Sequence, residues 1–186
     1  MLSAALFRLR RGENAMVGVA IGLTLQTWLA NGIAHVLPIV YASWLSGALL
    51  CVAGIVSTIV LPRRLQIVSS WTQWCLLGGG VLVFTLIGRG LGIFDDYQNL
   101  PTISLMATGD VPPHFALNPS LNFGYHYFLL LVAAQLMRLG DLFPWTALDV
   151  ARGLVMALPL MLAGLWAYRL THSQLAGALA GAVLST

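Results

Sequence analysis

Long apolar runs, separated by stretches that hold most of the charge, constrain this chain more than any other feature. Runs at about Ala15–Leu37, Ile39–Leu61, Trp71–Leu91, Tyr125–Leu139 and Ala147–Tyr168 follow one another, and a further apolar run begins after Ser173. A helix needs roughly 20 apolar residues to cross the hydrocarbon of a bilayer. No soluble fold can bury so many such runs. Of the 186 residues, 59% are hydrophobic and 8% charged, which excludes disorder, since a disordered chain needs low hydrophobicity and high charge. The expected fold class is therefore all-α: a polytopic membrane protein with about five spanning helices and a partial sixth.

All nine basic residues are arginines. They are too few and too scattered for nucleic-acid binding and serve better as topology markers, because basic residues concentrate on the cytoplasmic side. Arg8, Arg10 and Arg11 place segment 1–14 in the cytoplasm. Three spanning helices over 15–91 follow, the first two joined so tightly at Pro38 that they form a hairpin. Pro62, Arg63 and Arg64 mark the return to the cytoplasmic side, and Trp71 and Trp74 fall where an interfacial aromatic belt is expected. Residues 92–124 then form an extracytoplasmic loop, and 125–186 hold the further spanning helices. With a crossing at about 125–139, Arg138 and Arg152 fall on the cytoplasmic side and Arg169 is the one exception outside. The last apolar run stops after about 14 residues, short of a crossing, so the chain reads as the N-terminal part of something longer, or as ending in a re-entrant or partner-buried helix.

Several small features have ordinary structural readings. Cys51 and Cys75 each lie in an apolar run and read as small buried hydrophobes. Gly18-x-x-x-Gly22 and Gly177-x-x-x-Gly181 are spaced to let helices approach closely. His35, one turn before Pro38 with Asn31 nearby, reads as an interfacial hydrogen-bonding residue, and Pro159 predicts a kink. Asp149 and Arg152, three residues apart, form a local ion pair. Arg89 either pairs with a loop carboxylate or lipid phosphate, or snorkels to the interface.

The chemistry-bearing stretch is 92–124. It carries three of the six acidic residues, Asp95, Asp96 and Asp110, and no arginine. Adjacent carboxylates can divide roles, one acting as general base and the other orienting an acceptor or binding a metal. Beyond them, Leu100, Ile103, Leu105 and Met106 predict a short amphipathic helix on the membrane surface, capped by Gly109 and stopped by Pro112-Pro113. Asn118-Pro-Ser-Leu-Asn-Phe-Gly-Tyr-His-Tyr-Phe then leads into the next apolar run.

This order resembles the first outer loop of the polyprenyl-phosphate-dependent GT-C glycosyltransferases, a group that includes protein mannosyltransferases and aminoarabinose transferases: an acidic pair at the end of a spanning helix, a surface helix, a Gly-Asp and Pro-Pro turn, and an aromatic lead-in. Ala151-Arg152-Gly153 and Tyr168-Arg169 extend the resemblance, which covers about Gly92 onward. It implies an integral membrane glycosyltransferase of a bacterial or archaeal cell membrane, taking its sugar from a polyprenyl-phosphate donor. Asp95 would be the catalytic base and Asp96 its neighbour, positioning the acceptor or, in a metal-dependent reaction, holding a divalent Mg or Mn ion. His114, Asn118, Asn122, Tyr125 and His126 would line the sugar or phosphate side. Two features depart from the group: Asn99 stands where an aromatic residue is usual, and the acidic pair follows a third spanning helix rather than a first. The alternative is a non-catalytic accessory subunit of a larger complex of membrane protein subunits, in contact with membrane lipid like the enzyme.

Overall fold

The first two apolar runs fold as the expected hairpin. In a computed structural model, which describes residues 13–60, 71–91, 96–123 and 127–183, they form α1 (Glu13–Ala34) and α2 (Ile39–Val60). The turn is closed by Ile33, whose carbonyl accepts from the Val36 and Leu37 amides, and Pro38 directly precedes α2. Asn31 and His35 occupy this turn, and the His35 ring meets the Asn31 carbonyl through Nδ1 at 2.7 Å. The Gln26 side chain donates across the hairpin to the Ser43 carbonyl at 3.0 Å. The third run forms α3 (Trp71–Leu91).

Next come α4 (Asp96–Thr108), a two-stranded antiparallel hairpin of β1 (His114–Phe115) and β2 (Asn118–Asn122), α5 (Phe128–Gly140), α6 (Pro144–Thr171) and α7 (Gln174–Val183). As predicted, α4 is short and stopped by Gly109, which adopts φ +117°, a left-handed conformation open to glycine without steric cost. Its apolar side packs on protein rather than lying free. Ile103 and Met106 are fully buried, in a core shared with Leu131 and Ala133 of α5, Leu148 and Ala151 of α6, and Ala34, Ile39 and Ala42 of the α1–α2 turn.

The protein is an all-α polytopic membrane protein. Among the described residues, four helices, α1, α2, α3 and α6, are long and apolar enough to cross a bilayer. The expected crossing at 125–139 is different: α5 has 13 residues, a length of about 20 Å, against about 30 Å of hydrocarbon. Asp141, at φ 50°, ends it, and Pro144 opens the next helix. Leu130 to Gln135 are all buried, so α5 is a core helix.

Losing that crossing reverses the side of everything after it. The α3 and α6 helices run antiparallel, with Gly88 beside Asp149, Thr85 beside Gly153 and Gly80 beside Ala157. The start of α6 therefore lies at the Asp96 end. Arg138 and Arg152 belong to that end, opposite to where the sequence placed them. Arg169 lies at the other end, where its Nη1 donates to Oε2 of Glu13 at 3.0 Å, which removes the expected exception. In a cysteine-free background, Ser120→Cys and Arg138→Cys are expected to react with an impermeant maleimide from one side of the membrane and Thr171→Cys from the other. Five crossings would instead put Ser120 and Thr171 together, with Arg138 opposite.

The glycine pairs behave differently. Nothing comes within 4 Å of a Cβ built at Gly22, whereas one at Gly177 would meet the Gly164 carbonyl oxygen at 3.0 Å, so Gly177 marks a close approach and Gly22 does not. Pro159 lies inside α6. Trp71 is 80% exposed and Trp74 42%, and both cysteines are free and exposed rather than buried as expected. Leu49, Val52, Ile55 and Ile59 of α2 and Leu82, Val83 and Leu86 of α3 are exposed as well, as side chains solvated by hydrocarbon would be.

Candidate functional site at the Asp96 end

Asp96 is the first residue of α4, where a carboxylate also suits the positive end of the helix dipole. The helix packs against α5 and α6 through its apolar side, and this brings Asp96 to Arg152, 56 positions later, in the third turn of α6. The guanidinium grips the carboxylate with both nitrogens, Nη2 to Oδ1 at 2.5 Å and Nη1 to Oδ2 at 3.4 Å, the fork geometry that suits arginine and a carboxylate. Asp149, one turn earlier, has Oδ1 3.9 Å from the same guanidinium. The predicted local pair is present, but as one side of a triad.

Backbone approach makes the triad possible. Gly153 lets α6 come so near α3 that an added Cβ would sit 2.5 Å from Oγ1 of Thr85 and 2.6 Å from the Val81 carbonyl oxygen. Thr85 also donates to the Asp149 carbonyl at 3.4 Å. The end of α3, the start of α4 and the first turns of α6 then enclose a pocket of about 220 Å³. Arg89, Asp96, Leu100, Trp145 and Asp149 are among the residues that line it. Arg89 is exposed and forms no ion pair with a described residue.

The other candidate residues divide. His114, Asn118 and Asn122 lie on the β-hairpin, and none of them lines this pocket. Asp110 holds His114 twice, Oδ2 accepting from the backbone amide at 2.8 Å and Oδ1 meeting ring Nδ1 at 2.6 Å. Asn118 accepts from the Ser120 hydroxyl at 2.7 Å, and Asn122 is exposed. Asp95, Tyr125 and His126 lie outside the described residues, as do Arg8, Arg10, Arg11, Arg63 and Arg64.

The described residues do not fit a divalent cation at Asp96. Both oxygens already take the guanidinium, whose charge opposes a second cation, and no group of three potential ligands occurs among the described residues. The arrangement instead offers paired carboxylates and guanidiniums beside an aromatic ring, a set suited to hydroxyl groups. Sequence reasoning missed Trp145, and it placed Arg152 on the wrong side because of the miscounted crossing. No protein-family model, no curated protein and no solved structure matches this chain.

Proposed function

We propose that this chain is an integral membrane glycosyltransferase of the GT-C type, transferring a sugar from a polyprenyl-phosphate carrier at the extracytoplasmic membrane surface. One observation supports the reading: Asp96 and Arg152, which belong to two of the stretches that carry the resemblance, are paired across α4 and α6. The orientation follows from the arginines. Arg8, Arg10 and Arg11 precede α1 in the sequence and Arg63 and Arg64 lie between α2 and α3; with Arg169 they are six of nine, which in this reading makes the Glu13 end cytoplasmic.

In this reading the Asp95 carboxylate accepts the proton of an acceptor hydroxyl as its oxygen attacks the anomeric carbon. The bond from that carbon to the phosphate oxygen breaks, and polyprenyl phosphate leaves. Asp96, fixed by Arg152, positions the acceptor. Arg89 stands at the rim, where a lipid phosphate would lie. His114, Asn118 and Asn122, which the resemblance assigns to the sugar or phosphate side, stand on the hairpin outside this pocket.

The test is sugar transfer from a polyprenyl-phosphate donor in proteoliposomes. Asp95→Asn is expected to lower the rate by about 100-fold, within the range of a lost general base. A rate equal to the parent's would sink the catalytic assignment. It would favour the accessory-subunit reading, in which the Asp96–Arg152–Asp149 triad only clamps α4 to α6.

A further inference from the structure

Trp145 stands where the fold could have put any interfacial residue, yet three features separate it from a simple membrane anchor. Its ring is stacked on Phe143, with centroids 5.1 Å apart and planes within 4°, so one side is backed and its orientation is fixed. It is 48% exposed, so part of the ring is open. It also borders the pocket that holds Arg89, Asp96 and Asp149. Trp71 and Trp74, at the other end of α3, line none of the described pockets.

The charges around the ring select the ligand. Asp96 and Asp149 offset Arg89 and Arg152, so a ligand meets no surplus positive charge that would hold an anion. It meets carboxylate oxygens that accept hydrogen bonds and guanidinium N–H groups that donate them. A neutral polyol satisfies both. Size narrows it further: about 220 Å³ lies below the roughly 300–1,000 Å³ of sites for drug-sized ligands, room for one ring rather than a lipid-linked donor. A pyranose has one face made of C–H groups, which lies flat on an aromatic ring, and hydroxyls around its edge.

We infer that Trp145 is a sugar platform: one pyranose ring stacks on its indole, with hydroxyls directed to Asp96 and Asp149. This rests on the glycosyltransferase reading for its biological setting and adds a binding residue that the resemblance does not supply. The phosphate of a carrier lies outside the pocket, toward Arg89. The ring belongs either to the donor or to a glycan acceptor.

The experiment is saturation-transfer NMR on the chain in nanodiscs, with a panel of methyl pyranosides and the same sugars as short-chain isoprenyl phosphates. Ring protons are expected to saturate in the parent. Trp145→Ala should weaken binding about tenfold, the scale of one aromatic stacking contact, and Trp145→Phe should restore most of it. Trp71→Ala, which removes an interfacial tryptophan at the far end, should bind as the parent does. A preference for the phosphate-bearing compounds assigns the ring to the donor, and equal binding assigns it to the acceptor. No saturation in the parent, or equal binding by Trp145→Ala, overturns the inference. Transfer assays separate the two ideas: binding lost in Trp145→Ala with no transfer by the parent keeps the platform and removes the enzyme. Transfer by Trp145→Ala at the parental KM does the reverse.

Discussion

Gly153→Leu is expected to leave no folded protein in mild detergent, and Gly153→Ala to lower the unfolding free energy by more than about 3 kcal/mol, beyond the usual cost of overpacking. The reason is what the new atom meets. The Val81 carbonyl oxygen, 2.6 Å from a Cβ at this position, is main chain inside α3 and has no rotamer to change. Thr85 Oγ1, at 2.5 Å, can rotate only by giving up its bond to the Asp149 carbonyl. The two helices must separate, and α3 against α6 is the contact that positions Arg89 opposite Trp145. Gly80→Ala, about one helical turn deeper, should cost less, because its Cβ would meet the Ala157 methyl at 3.2 Å, which a few tenths of an ångström of give can relieve. Gly54→Ala has nothing within 4 Å and should be neutral or stabilising by up to about 1 kcal/mol through helix propensity. Unfolding monitored by circular dichroism during SDS titration ranks the three. Equal losses at Gly153 and Gly54 would show that the close crossing of α3 and α6 is wrong.

Apolar run length was enough to identify α1, α2, α3 and α6, and turn chemistry placed the C-terminal end of α4, because Gly109 and Pro112-Pro113 act locally. The fourth apolar run was legible as a helix but not as a core helix. Tyr125–Leu139 is as apolar as a crossing, and whether such a stretch meets lipid or protein depends on α4, whose Ile103 and Met106 cover it. That one question decides the side of every later charge, so Arg138, Arg152 and Arg169 were misplaced together. Helical spacing also explains what was seen of the site. Asp149 and Arg152 are neighbours by i,i+3 geometry, while the Asp96–Arg152 pair spans two helices and 56 positions and leaves no periodic trace. Trp145 adds no pattern of its own beside Phe143 and Pro144; only the pocket gives it meaning.

Arg152→Ala tests the site from the charged side. Its side chain is 14% exposed, and those of Asp96 and Asp149 are 26% and 10% exposed. Removing the guanidinium leaves two carboxylates near each other in a half-dry site, with Arg89 the one arginine lining the pocket among the described residues. Breaking a buried pair from one side costs about 3–5 kcal/mol; since Asp96 retains some access to water, about 2–4 kcal/mol is expected here, after the discount that solvent screening requires. Arg152→Lys keeps the charge but loses the two-nitrogen grip, so its loss should fall between parent and alanine. The decisive comparison is the double variant. If the penalty comes from an uncompensated charge, Asp96→Asn combined with Arg152→Ala should be more stable than Arg152→Ala alone, a coupling of about 1–2 kcal/mol. If Arg152 matters only as packing for α6, the two losses add. Additive losses would remove the ion pair as the link between the α4 start and α6, and with it the observation on which the proposed function stands.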